Sequence, residues 1–248
     1  MVNIKINGKP VEVQEGKTIL EAARENNIHI PTLCYLKDLN QIGACRMCLV
    51  EIKGARALQA ACVYPVSEGL EIYTNSAKVR NARKATLELI LSNHERKCLT
   101  CIRNRNCELQ KLCDELGIED IRYEGKNIEY ELDTSSPSLV RDNNKCILCR
   151  RCVAACKNQG ISVIDCVERG FNTHIAPYFE KPINDAACIY CGQCIVACPV
   201  GALYEKNDIP QVNEAIDDSE KHVVVQVAPA VRAALGEEFG LPIGTPVT

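Results

Sequence analysis

Two stretches of this chain repeat one cysteine pattern, and they constrain its fold more than any other feature. KCILCRRCVAAC places Cys146, Cys149, Cys152 and Cys156, and ACIYCGQCIVACP places Cys188, Cys191, Cys194 and Cys198, each as Cys-x2-Cys-x2-Cys-x3-Cys with Pro199 behind the second. A pattern given twice predicts a duplicated module with an insertion between its halves. At this spacing the first three thiolates of a run wrap one 4Fe-4S cubane, while the fourth sits on the departing helix and reaches the other cubane. The reading therefore groups Cys146, Cys149 and Cys152 with Cys198, and Cys188, Cys191 and Cys194 with Cys156. Zinc also binds Cys-x2-Cys pairs. Two complete runs favour iron, because the tight loop lets backbone amides point at inorganic sulfide.

The chain has 248 residues and 17 cysteines. A secreted disulfide scaffold of this cysteine content would open with an apolar signal segment, whereas MVNIKINGKPVEV is alternating and polar. The expected compartment is the reducing cytoplasm. No window approaches the roughly 18 continuous apolar residues of a membrane helix, so no transmembrane segment is expected. Lys and Arg total 29 against 32 Asp and Glu, a formal charge of -3, and there is no Trp, so neither a basic field nor a stacking platform for nucleic acid is present.

Residues 2–6 alternate with period two, Asn7-Gly8 suits a hairpin turn, and VEV at 11–13 returns. Thr18 and Glu21 form a capping-box pattern ahead of ILEAARENN, a predicted helix stopped by Pro31. MCLVEIKG predicts a strand turning at Lys53-Gly54 into ARALQAACV, which completes a small mixed sheet covered by one helix. Ser76 is placed to cap a helix running to about Ser92. A third helix is expected from Cys107, with Leu109, Leu112, Cys113 and Leu116 on one face and Gly117 ending it. The polar stretch 124–144 reads as a linker, and ISVID as a short strand before Cys166. At the far end VVVQV, 223–227, predicts a buried strand leading through Ala228-Pro229 into a helix whose Val231, Ala234, Leu235 and Phe239 share a face.

Two further ligand sets precede the repeated runs. Cys34, Cys45, Cys48 and Cys62 are spaced x10, x2, x13, which keeps the long loop, tight pair and distant fourth ligand of a plant-type 2Fe-2S site but departs from its x4 spacing. Gly43 in IGACRMC allows the backbone to curl around an inorganic core. Next come His94, Cys98, Cys101 and Cys107, spaced x3, x2, x5. By spacing, either His94 or Cys113 completes this set. Cys113 also lies on the apolar stripe of its helix, where a small buried hydrophobe explains it equally simply. His29, His174 and His222 read as solvated or satisfied side chains, and Cys166 as structural or a free thiol.

In this order the motifs closely resemble the N-terminal part of the long FeFe hydrogenases, especially the catalytic subunit of NAD-linked, electron-bifurcating enzymes. CYLKDLNQIGACRMC with Cys62 is similar to the family's 2Fe-2S motif, HERKCLTCIRNRNCELQ to its His/Cys3 cubane motif, and the two runs to its paired accessory cubanes. The resemblance favours His94 over Cys113 as ligand and agrees with the crossed assignment of Cys156 and Cys198. The first two motifs alone resemble equally the iron-sulfur subunit of respiratory complex I or the front of a formate dehydrogenase. VQVAPAVRAALGEEFGLPIGT resembles the entrance to the hydrogen-activating domain, whose later cysteine motifs have no counterpart here, since no cysteine follows Cys198.

The resemblance implies an α+β chain in successive parts: a plant-type ferredoxin-like (β-grasp) domain at 1–75, a helical His/Cys3 domain at 76–123, the linker 124–144, a duplicated bacterial ferredoxin-like domain at 145–208, and at 209–248 a linker with the start of a catalytic domain. It implies one 2Fe-2S and three 4Fe-4S clusters, with the hydrogen-activating H-cluster beyond residue 248. No GxGxxG or GxxxxGK[ST] fingerprint occurs, so NAD and FMN are expected only in partner subunits. The expected partners are a flavin- and NAD(H)-binding iron-sulfur subunit, a small 2Fe-2S subunit and ferredoxin, in a hetero-oligomer. No acid-base pair or nucleophilic triad stands out, so no catalytic residue is assigned. The expected role is an electron relay to a hydrogen-activating site in a larger enzyme, with formate dehydrogenase and an autonomous complex I-like electron-transfer subunit as alternatives.

Overall fold

The computed structural model describes residues 1–247, which divide into two compact units, one of residues 1–206 and one from residue 207 onward. Val2–Ile6 (β1) and Lys9–Val13 (β2) pair antiparallel from Val2↔Val13 to Ile6↔Lys9. Asn7 and Gly8 both take positive φ, 52° and 82°, the pair of left-handed positions that lets a two-residue turn follow the twist of its strands. Ile19–Glu25 (α1) begins with a complete capping box, the Thr18 hydroxyl accepting from the Glu21 N–H and the Glu21 carboxylate accepting from the Thr18 N–H. Pro31 does not stop this helix. Asn26 caps it with its side chain on the Ala22 carbonyl, and Asn27, at φ 56°, turns the chain away well before the proline.

Leu49–Ile52 (β3), Gln59–Ala60 (β4) and Glu71–Tyr73 (β5) complete a sheet of order β2-β1-β5-β3-β4. β5 runs parallel to β1 and antiparallel to β3, so the sheet is mixed. β5 escapes the sequence reading because three residues are too few to display a period of two. Ile4, Ile6, Val50, Ile52 and Ile72 pack with Leu20 and Ala23 of α1 into one core. Ala77–Ser92 (α2) is capped by Ser76 and anchored through buried Arg83, which donates to the Leu49 carbonyl of β3 at 2.7 Å. Glu108–Leu116 (α3) ends at Gly117, whose φ of 59° supplies the left-handed exit.

The remainder of the first unit contains Leu139–Arg141 (β6), Arg151–Asn158 (α4), Ile164–Val167 (β7), His174–Pro177 (β8), Gln193–Ala197 (α5) and Leu203–Glu205 (β9). β6 pairs with β9 and β7 with β8, both antiparallel. Within the segment read as linker, β6 is therefore a strand of the unit that follows. Asp133 ties the same segment down. Its carboxylate accepts from the Ser135 hydroxyl at 2.6 Å, the Ile183 N–H at 3.0 Å and Arg141 at 3.1 Å. Cys166 lies inside β7 rather than after it. With few aromatics available, aliphatics and cysteines fill this second core, Leu87, Leu109, Leu139 and Ile183 beside Cys149, Cys152 and Cys198.

The second unit contains Ile209–Asp217 (α6) and Pro229–Glu238 (α7). α6 has no counterpart in the sequence reading, which took the chain from residue 209 as a linker. VVVQV forms no strand, and Val224 and Val225 are exposed. A strand needs a partner for its backbone groups, and among the described residues no strand pairs with 223–227. The α7 helix forms as expected, but Val231, Leu235 and Phe239 stay exposed. Among the described residues no helix is long and apolar enough to cross a membrane.

Candidate metal-cluster sites

Cys34, Cys45, Cys48 and Cys62 are all buried at the edge of the five-stranded sheet's core. The first and second are interlocked, the Cys34 N–H pointing at the Cys45 Sγ at 3.4 Å and the Cys45 N–H at the Cys34 Sγ at 3.5 Å. The loop can close this tightly because Gly43 and Arg46 take φ of 61° and 57°. A Cβ on Gly43 would lie 3.3 Å from Val63. Hydrogen bonds from Cys45 and Cys62 pull the Cys34 thiol down to about 2, and Cys62 pulls Cys48 down to about 7. Cys45 and Cys62 are pushed up as the donors of the same set. Each of the four thiols thus has another of the four as a hydrogen-bonding neighbour.

His94, Cys98, Cys101, Cys107 and Cys113 line a second cavity, with Gly201 from the chain beyond the last repeated cysteine. Burial holds the His94 imidazole below its ordinary pKa, opposed by a hydrogen bond to the Lys145 backbone. Its Nδ1 is buried and has no hydrogen-bond partner. A buried imidazole with an unpartnered Nδ1, beside the thiols of Cys98, Cys101 and Cys107, is placed as a metal ligand would be. Cys113 faces the same cavity, its thiol pushed up to about 11 by burial. The structure thus brings both alternatives for the fourth ligand to one place.

The two repeated runs have matching backbones. Leu148 and Tyr190 take φ of 53° and 54°, and Arg150 and Gly192 take 60° and 72°. The Leu148 N–H points at the Cys146 Sγ and the Tyr190 N–H at the Cys188 Sγ, each at 3.4 Å. Alternation of right- and left-handed residues turns successive N–H groups inward and makes a concavity for an anion. Two such left-handed positions per run fall between the first and third cysteines, where a wrapped anionic core needs them.

One cavity is lined by Cys146, Cys149, Cys152 and Cys198, and another by Cys156, Cys188, Cys191 and Cys194. Each run therefore contributes its last cysteine to the other run's cavity. α4 packs on α5, which carries Cys156 and Cys198 past one another. Burial pushes the Cys146 and Cys149 thiols to about 12, Cys194 to about 11, and Cys152 and Cys198 upward as well. Thiols that burial keeps protonated become thiolates only against a compensating cation. The donor set fits an iron-sulfur core on that ground. Among the described residues no group of three Cys, His, Asp or Glu side chains is placed to hold a single metal ion.

Residues without ligand chemistry help to join these sites. The Glu108 N–H, next to Cys107, donates to the Pro199 carbonyl, next to Cys198, at 3.1 Å. A Cβ on Gly201 would lie 2.6 Å from the Cys101 Sγ, so only glycine admits this approach. Neither contact has a sequence signal beyond the glycine itself. Cys166 lines none of these cavities, and burial pushes its thiol up. His29 and His174 meet Glu115 and Glu180.

Residues 1–77 match the family of 2Fe-2S iron-sulfur cluster binding domains, residues 83–122 the NADH-ubiquinone oxidoreductase-G iron-sulfur binding region, and residues 145–202 the 4Fe-4S dicluster domain. The chain is 45% identical over 254 residues to the NADP-reducing hydrogenase subunit HndD of Solidesulfovibrio fructosivorans, covering 100% of this chain and 43% of that protein. It is 37% identical over 207 residues to the NADH-ubiquinone oxidoreductase 75 kDa subunit of Reclinomonas americana, covering 83% of this chain and 30% of that protein. A crystal structure of an NAD+-reducing [NiFe]-hydrogenase in the H2-reduced state superimposes with a TM-score of 0.78 at 29% identity, over 83% of this chain and 87% of that one. The chain spans less than half the length of these curated relatives. By its three modules and their order, the chain carries one 2Fe-2S and up to three 4Fe-4S cluster-binding sites and is homologous to the iron-sulfur relay region of hydrogenase and complex I-type subunits.

Proposed function

We propose that residues 1–206 form an electron relay between an NAD(H)-linked flavin partner, or ferredoxin, and a catalytic centre outside the chain. Cys34, Cys45, Cys48 and Cys62 hold a 2Fe-2S cluster in a plant-type ferredoxin-like, β-grasp fold. His94, Cys98, Cys101 and Cys107 hold a 4Fe-4S cluster. A duplicated ferredoxin-like fold holds two more, one on Cys146, Cys149, Cys152 and Cys198 and one on Cys156, Cys188, Cys191 and Cys194. The observation that carries this reading is the exchange of last cysteines between two cavities with matching backbones.

When bound, such clusters supply reversible one-electron storage. The chain's own residues fix how easily each site is reduced. Inward N–H groups at the left-handed positions stabilise negative charge, and a neutral imidazole in place of a thiolate makes the His94 site less negative and raises its potential. Burial of Cys34, Cys48 and Cys62 keeps water from the first site.

The relay is read most directly as complex I-like, with a flavin- and NAD(H)-binding subunit and a small iron-sulfur subunit as partners, because complex I-type and NAD-linked relatives share these modules. A second reading, an FeFe-type hydrogenase as the terminal enzyme, is favoured by one observation: the two hydrogenase relatives that align over 100% of this chain do so at 45% and 40% identity, whereas the complex I-type subunit that aligns over 96% of it is 29% identical. Anaerobic redox titration followed by electron paramagnetic resonance tests the relay, which requires one binuclear and three tetranuclear signals. Stoichiometric zinc with little labile sulfide overturns it. Viologen-linked hydrogen evolution by the purified native complex separates the two terminal readings.

A further inference from the structure

The first ligand loop is longer than its chemistry requires. Cys34 and Cys45 are separated by ten residues, where about four suffice in a plant-type 2Fe-2S loop. The additional length is ordered. Leu36 and Asn40 exchange backbone hydrogen bonds at 3.0 and 2.8 Å, and Asp38 takes φ of 59° at the turn between them. This tight turn carries the Asn40 side chain into the protein, where the residue is 4% exposed.

Asn40 Nδ2 donates to two carbonyls, that of Cys34 at 2.8 Å and that of Cys149 at 3.0 Å. One belongs to a proposed 2Fe-2S ligand and the other to a proposed ligand of the Cys146, Cys149, Cys152 and Cys198 site. Both hydrogens of a single carboxamide are used, and both acceptors are main-chain atoms of ligand residues. No isosteric side chain can repeat this: aspartate and leucine share the branched shape and lack the donors. A buried amide aimed at one carbonyl would be ordinary satisfaction of a polar group. An amide shared between two ligand residues 115 positions apart in sequence holds two ligand loops at one separation.

We propose that Asn40 is a positioning residue that couples the 2Fe-2S site to the Cys149 site, and that the lengthened Cys34–Cys45 loop exists to present it. The proposal rests on the cluster reading above. The bridge runs from the Cys34 carbonyl across the Asn40 amide to the Cys149 carbonyl. The side chain transfers no proton and changes no bond. Its work is to fix a distance on which electron transfer depends steeply.

The test uses the intact, cluster-loaded protein and its Asn40→Leu and Asn40→Asp variants. Iron and sulfide content and the spectra of the individual clusters are recorded first, and both variants are expected to retain them. Pulsed dipolar spectroscopy then reads the separation of the reduced 2Fe-2S and Cys149 centres, and flash reduction reads their equilibration. In both variants the distance distribution broadens and equilibration slows by about tenfold, the sensitivity expected where geometry is set by positioning groups. Asn40→Asp recovers part of the rate on acidification, as the protonated carboxyl regains one donor; Asn40→Leu shows no such recovery. Parent-like distance and rate in either loaded variant overturn the proposal. Absence of the two signals in the parent protein overturns the relay reading itself, and the coupling with it. If Asn40→Leu fails to assemble, the distance, rate and pH response of Asn40→Asp decide.

Discussion

Arg151 grips Glu108 with both arms of its guanidinium, Nη1 to Oε1 at 2.6 Å and Nη2 to Oε2 at 2.9 Å. Nη2 also donates to the Tyr35 carbonyl at 3.1 Å. Tyr35 follows Cys34, Glu108 follows Cys107 and Arg151 precedes Cys152, so one side chain ties three ligand segments together. Arg151 is buried, whereas the Glu108 side chain is 45% exposed and can be solvated when abandoned. Arg151→Met is therefore expected to destabilise the loaded protein by about 1–3 kcal/mol, less than the loss of a fully buried pair. Glu108→Gln should cost less, because the Tyr35 contact survives. Chemical denaturation under anaerobic conditions checks the order.

Metal removal should be more damaging than any single substitution. Ligand sets occur in each part of the first unit, and cysteines take places in its cores that aromatics fill elsewhere. Complete loading corresponds to about 14 iron atoms per chain, and the apoprotein is expected to lose cooperative unfolding, most of all over residues 145–206. Calorimetry before and after chelation reads this directly, and an apoprotein with the parent transition contradicts it.

The crossed cavities predict crossed damage. Cys156→Ala should weaken the cluster held mainly by Cys188, Cys191 and Cys194, and Cys198→Ala the one held by Cys146, Cys149 and Cys152. Cluster-resolved resonance spectra distinguish this from damage within each run's own site.

At the histidine site, His94→Cys is expected to retain a tetranuclear cluster at lower potential, since an added thiolate makes the core more negative. Cys113→Ala should leave that cluster in place. Loss of its signal in Cys113→Ala, with retention in His94→Ala, reverses the ligand assignment.

Asp133 gives a pH dependence of known sign. Burial pushes its carboxyl up, but hydrogen bonds from Ser135, the Ile183 N–H and Arg141 outweigh this and leave it below the ordinary carboxylate value. A depressed folded pKa contributes stability that is present above the unfolded value and is lost as pH falls through the folded one. The stability advantage over Asp133→Asn should hold at neutral pH and shrink below about pH 4. Hydrogen exchange at the Ile183 and Ser135 amides follows it without relying on the acid-labile sites.

The sequence by itself determined the local elements whose causes are local. Thr18 and Glu21 cap α1, Asn7-Gly8 turns the first hairpin and Gly117 ends α3, because each depends on residues a few positions apart. It also determined the ligand candidates, since loop spacing limits which cysteines can reach a common centre. Tertiary structure decided what depends on partners distant in sequence. β5 exists because β1 and β3 flank it, and VVVQV has no strand because no described neighbour pairs with it. The exchange of Cys156 and Cys198 was already legible in the repeated spacing, and the packing of α4 on α5 is the tertiary contact that accompanies it. Asn40 reads as an ordinary polar loop residue until the fold brings Cys149 to it, for a hydrogen bond between chain-distant groups leaves no mark in local spacing.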